Sequence, residues 1–112
     1  MKKIEAIIRY EKLSDVREAL GKLGYPGITI TDVKGHGKHE APVQQWRGKP
    51  YKVELLPKLK LEIVVLDDDV YRTVNAIVRS ARTGEVGDGK VFVIPVENAI
   101  RVRTGDHAEN AI

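Results

Sequence analysis

Apolar and polar residues alternate through residues 3–9, "KIEAIIR". Ile4, Ala6 and Ile8 fall on one side and Glu5, Ile7 and Arg9 on the other, the period-two pattern of a strand. The period then changes. Over 14–23, "SDVREALGKL", Val16, Ala19, Leu20 and Leu23 recur at helical spacing, with Ser14 expected as the N-cap and Gly24 just past the end. "ITITDV" (28–33) is rich in β-branched residues and predicts a second strand. Residues 35–55 hold no sustained period and many Gly, Pro and charged positions, which predicts a loop of roughly 18 residues, a length usually tied to function or disorder. Alternation returns over 58–66, with Leu59, Leu61, Ile63 and Val65 on one face. Residues 67–84 predict the strongest helix, with Val70, Val74, Ile77, Val78 and Ala81 as its apolar stripe. Acids open it, Arg79 and Arg82 close it as the helix dipole favours, and Gly84 is its expected stop. A strand over 90–96, a short strand over 99–103 and a polar, mobile tail over 104–112 complete the expectation.

The order is β-α-β, long loop, β-α-β, with a short strand after it. That is the split βαβ arrangement: an α+β, ferredoxin-like sandwich with two helices on one face of an antiparallel sheet. The opposite face should then be polar. Yet "VFVI" (91–94) is apolar on both faces, and Ile7 and Val64 add to the outer side. A second copy of the chain is the simplest cover for it.

Composition narrows the class. The chain has 112 residues, 42% of them hydrophobic and 31% charged, which suits a single domain, 1–112, with a modest core that oligomerisation would enlarge. Net charge is +3, but acids and bases interleave, so a mixed solvated surface is favoured over a nucleic-acid face. With no cysteine, disulfides, thiolate zinc sites and cysteine nucleophiles are excluded. The N-terminal apolar run is too short for a signal peptide and no stretch approaches ~18 apolar residues, so a cytoplasmic protein that is not membrane-embedded is expected.

The chemistry concentrates in "GEVGDGKV" (84–91). It falls one residue short of the Walker A pattern, with Val91 where the Mg²⁺-ligating Ser or Thr would stand. The order is also reversed: a P-loop needs strand, loop, helix, and here a helix leads into a strand. A glycine-rich turn is the plain alternative. Three glycines within six residues exceed what one turn requires, however, and closely spaced glycines let amides converge on an anion. Lys90 adds charge, and Arg101 and Arg103 would emerge on one face of the 99–103 strand with forked donors suited to phosphate. Together these favour a polyphosphate ligand. No general base, no nucleophile beside a base and no acidic metal pair is evident, so an enzyme is not expected.

These features, with "MKKIEAIIR", "KLSDVREAL", "TDVKGHG", "LPKLKLEIVV", "TGEVGDGKVFVIPV" and "IRVRTG", make the chain resemble the PII nitrogen-regulatory signal-transduction proteins along its whole length. The resemblance implies a homotrimer that binds ATP and ADP in clefts between subunits. It implies nucleotide contacts at Ile7, Gly27, Thr29, Gly35, Gly37, Lys38, Glu62 and Val64, with phosphate contacts at Gly87, Asp88, Gly89, Lys90, Arg101 and Arg103. It further implies a T-loop, residues 37–55, that docks on an ammonium transporter or a metabolic enzyme, with Trp46, Arg47 and Tyr51 as expected partner contacts.

The chain departs from the family pattern in two places. The Gln that bridges Mg²⁺ and 2-oxoglutarate in the family is His39 here, and Mg²⁺ prefers oxygen ligands; Lys58, the expected carboxylate partner, is kept. Tyr51 occupies the position uridylylated in some members, but its surroundings are "WRGKPY", with Pro50 beside it, and the residue phosphorylated in others is Lys49. Trp46 is either a partner hot spot or an anchor of the loop to its own subunit. His36 and His39 could share a metal only with a third ligand that the sequence does not supply; His107 has no assigned role. The alternatives are a PII-like regulator of metal or bicarbonate transport, and a ferredoxin-like nucleic-acid module. The second is weakened because the strands offer only Phe92 for base stacking.

Overall fold

The computed structural model describes residues 1–25, 27–35, 43–46, 49–52 and 55–112, with the backbone alone for 43–46 and 49–52. Strand β1 (Lys2–Ile8) leads through a 3-10 turn (Tyr10–Lys12) into helix α1 (Leu13–Lys22), then to β2 (Thr29–Gly35). A short ribbon follows, β3 (Val43–Trp46) and β4 (Lys49–Lys52). The second half repeats the first: β5 (Leu56–Val65), a 3-10 turn (Asp67–Asp69), α2 (Val70–Ala81) and β6 (Lys90–Pro95). The main sheet is antiparallel in the order β2-β5-β1-β6. With the β3–β4 ribbon set aside, this is the ferredoxin-like order predicted from the element sequence.

Period-two alternation decides which face is buried. Ile4, Ala6 and Ile8 of β1 and Leu59, Leu61, Ile63 and Val65 of β5 form the core with Val16 and Leu20 of α1 and Ile77 and Ala81 of α2. The outer face is mixed. Lys3 ion-pairs with Glu62 at 3.2 Å, and Lys60 lies 3.7 Å from the same carboxylate, while Ile7 and Val64 are half-buried and Phe92 is exposed.

Both helices start differently from expectation. Each strand ends in one extended residue, Arg9 or Leu66, and a 3-10 turn carries the chain into the helix. The residue at the N-cap of α1 is therefore Lys12, not Ser14. Leu13 packs on the core and draws the helix start forward. The end of α1 is as predicted. Gly24 N–H bonds to the Gly21 carbonyl and Tyr25 N–H to that of Leu20, both at 3.0 Å, the paired bonds of a Schellman stop.

Helix α2 is shorter than 67–84 and its buried stripe is shifted. Thr73, Ile77 and Ala81 are buried, Val70 and Val74 pack partly, and Val78 is exposed. Thr73 can be buried because its hydroxyl donates to the Asp69 carbonyl at 2.7 Å, leaving no unpaired polar atom. Gly84 is not the helix stop: Arg82 is already extended, and Gly84 lies within the following turn.

Two further expectations are corrected. The 35–55 segment is not loop throughout, since β3 and β4 pair within it in the register Trp46↔Lys49, Gln44↔Tyr51. Residues 99–103 are not a strand. The chain reverses there, Gly105 N–H bonding to the Arg101 carbonyl at 2.7 Å, with a single bridge between Ile100 and His107. The tail carries a 3-10 turn, Ala108–Ala111, tied down by Asn98, whose side-chain oxygen accepts from the Ala99 and Ala108 amides.

Candidate functional site

The glycine-rich segment joins α2 to β6 and lies against the C-terminal end of β1. Its shape follows from Asp88. That carboxylate accepts from the Thr83 hydroxyl, from the Thr83 amide at 2.9 Å, from the Gly84 amide at 2.8 Å and from Arg9 Nε at 3.2 Å. These donors, the Thr83 hydroxyl first, hold its pKa well below the usual carboxylate range. Arg9 also donates through Nη2 to the Val86 carbonyl at 2.7 Å, and Lys58 Nζ donates to the Gly87 carbonyl at 2.6 Å. Partial burial, then the Arg9 charge, lowers the Lys58 pKa.

Gly87 and Gly89 have positive φ, 98° and 109°, and Asp88 between them does not. This alternation of sign is the backbone form of an amide nest. Among the described residues, no protein acceptor takes the amides of Gly87, Asp88 or Gly89. Gly89 has a second constraint: a Cβ there would stand 1.7 Å from the Ile7 carbonyl oxygen, so the loop can sit on β1 only without a side chain.

Register sorts the predicted residues along the sheet. Ile7 pairs with Lys60 and Lys90 at one end, and Gly35 with Leu56 near it. That end therefore gathers Ile7, Gly35, Lys58, Gly87, Asp88, Gly89 and Lys90. Glu62 pairs with Thr29 and Glu5, and Val64 with Lys3. They lie toward the other end, where Gly27 enters β2 and where β6 leaves for the turn bearing Arg101 and Arg103. β6 is six residues long, so roughly 20 Å of strand separates Lys90 from the arginine turn. No hydrogen bond or ion pair among the described residues joins the glycine loop to the two arginines.

The arginines also differ from the expected same-face pair. Both lie in the reverse turn, with Arg101 3.6 Å from Asp106 and Arg103 exposed. Val102 between them is fully exposed. Gly37, Lys38, His36, His39 and Arg47 lie outside the described residues. Trp46 and Tyr51 fall on the β3–β4 ribbon, one on each strand. Among the described residues, no cluster of three His, Asp or Glu could hold a metal, and no helix is long and apolar enough to cross a membrane.

Arg9 and Thr83 went unread in the sequence. An acid inside a candidate anion-binding loop was the available signal: Asp88 would repel phosphate unless its carboxylate were occupied locally.

An antiparallel α+β sandwich with two helices on one face of its sheet is a ferredoxin-like domain. The chain matches the family model "Nitrogen regulatory protein P-II" over residues 1–106. It is 54% identical to nitrogen regulatory protein P-II 1 of Methanothermobacter thermautotrophicus over 112 residues, all of this chain and 97% of the relative. It is 51% identical to nitrogen regulatory protein P-II of Pasteurella multocida and 52% to P-II 1 of Escherichia coli K12, with full coverage of both chains in each case. The chain belongs to the P-II family and is a signal-transduction regulator of that type.

Proposed function

We propose that this regulator binds ATP and ADP in competition, in clefts between the subunits of a homotrimer, and presents its T-loop to a partner according to which nucleotide is bound. The observation that carries this reading is the division of the candidate residues between opposite ends of the sheet. A cleft completed by a neighbouring copy joins the glycine loop and Lys90 of one subunit to Arg101 and Arg103 of the next. The amides and Lys90 then grip the phosphates, while the half-buried Ile7 and Val64 supply apolar surface for the adenine. The same contact would cover Phe92 and Val102, whose exposure in an isolated subunit is costly.

The two nucleotides differ in phosphate charge at the loop where the T-loop begins. A ligand shifts the T-loop only as far as it binds the two loop arrangements differently, so Gly37, Lys38 and His39 are the coupling positions. The partner, an ammonium transporter or a nitrogen-metabolism enzyme, would meet the ribbon bearing Trp46 and Tyr51, with Arg47 as a further contact. In this reading the protein acts by binding in the cytoplasm and catalyses nothing. Tyr51 is a poor modification target because Pro50 fixes the adjacent backbone.

Metabolite sensing is the weaker arm. His39 offers an imidazole where an oxygen donor would suit Mg²⁺, and Lys58 is bonded to the Gly87 carbonyl. We therefore route no step through Mg²⁺. Titration calorimetry with ATP, ADP and 2-oxoglutarate, with and without Mg²⁺, tests both arms. ATP and ADP should bind and compete, and 2-oxoglutarate should raise ATP affinity less than about threefold, ~0.7 kcal/mol. Absence of heat with either nucleotide rejects the site; strong synergy rejects the reading of His39.

A further inference from the structure

We propose that Arg9 and Lys58 are positioning residues for the phosphate site: by holding the carbonyls of Val86 and Gly87 they aim the following amides at the ligand. The inference rests on the nucleotide reading above and adds a role for two cations that it does not place on the phosphates.

The argument is one of peptide geometry. In a planar trans peptide the C=O of one residue and the N–H of the next point in opposite directions. Arg9 Nη2 takes the Val86 carbonyl at 2.7 Å and Lys58 Nζ takes that of Gly87 at 2.6 Å. The amides of Gly87 and Asp88 are thereby turned away from both cations. Those are amides with no acceptor among the described residues. The two cations approach the loop from one side: a Cβ at Gly87 would lie 3.3 Å from Arg9 Nη2 and 3.5 Å from Lys58 Nζ. An anion received by the amides sits on the opposite side, out of direct contact with either.

The remaining bonds fix the loop against rotation. Asp88 ties Arg9 Nε to the Thr83 and Gly84 amides. Gly89 is pressed on the Ile7 carbonyl. Peptides 86–87 and 87–88 are thus the adjustable part of the loop, and Arg9 and Lys58 set them. Without the clamps, each glycine-flanked peptide can flip and present a carbonyl oxygen to the phosphate instead of an amide.

The test compares wild type with Lys58→Met, Lys58→Arg and Arg9→Gln, with 2-oxoglutarate absent throughout. ATP and adenosine affinities are measured by NMR titration at low and high salt. Lys58→Met and Arg9→Gln should weaken ATP about tenfold, ~1.4 kcal/mol. Adenosine affinity should be unchanged, the ATP loss should persist at high salt, and Lys58→Arg should restore most of the binding. Equal loss for ATP and adenosine, unaltered ATP binding, or a loss abolished by salt as for a direct charge contact would each overturn the proposal. If wild type binds no ATP, the nucleotide reading fails, and the clamp is judged in the free protein. Backbone amide order parameters at Gly87 and Asp88 must then be lower in Lys58→Met and Arg9→Gln, and unchanged order parameters overturn it.

Discussion

Three glycines of one short segment are indistinguishable by residue type, yet they do different work. Gly84 has open space around its Cα, while Gly89 lies against the β1 backbone. Replacing Gly84 by Ala adds only the strain of φ +89°, about 1–2 kcal/mol. The Gly89→Ala change adds the same strain and forces the loop off Ile7. Denaturant unfolding at fixed protein concentration should show Gly89→Ala losing about 3 kcal/mol or more, clearly above the loss of Gly84→Ala. Equal losses would mean the loop does not rest on β1. The sequence announced an unusual density of glycine but not which of them touches another strand, because that contact joins residues far apart in the chain. Asp88 shows the same limit. Its carboxylate is engaged by Thr83, Gly84 and Arg9, and the sequence named none of these partners for it.

At the level of elements, alternation was the dependable signal. The faces of β1 and β5 came directly from it, since a strand with one buried side has only one workable register. Helix α2 was harder. Its apolar stripe included Val78 and passed over Thr73, as hydrophobicity alone favours. Burial of Thr73 depends on a bond to the Asp69 carbonyl, which a hydropathy pattern does not contain. Ile77→Ala should cost about 3 kcal/mol of unfolding free energy and Val78→Ala less than about 1. Comparable costs would restore the stripe read from the sequence. The ribbon was missed because short strands with Pro, Gly and charge carry no clear period. The supposed final strand failed for the converse reason: "IRVR" alternates, but Gly105 reverses the chain beneath it.

For the whole molecule, element order and the match of motifs carried the fold and the family, while the site could be read only as a set of residues. Their division between the two ends of one sheet emerges from strand register, and it makes a neighbouring copy part of the proposed site. The mixed outer face, where Lys3, Glu62 and Lys60 lie beside Ile7 and Val64, fits a contact that is neither fully solvated nor a dry core. The most direct test is complementation between subunits. Lys90→Glu disables the loop end and Arg103→Glu the arginine end, and each variant alone should lose ATP binding by calorimetry. Co-assembled from mixed chains, they should regain it, because one interface of each mixed trimer unites an intact loop with an intact arginine turn. Mixed assemblies that remain silent, or single variants that bind as wild type does, would contradict a site shared between subunits.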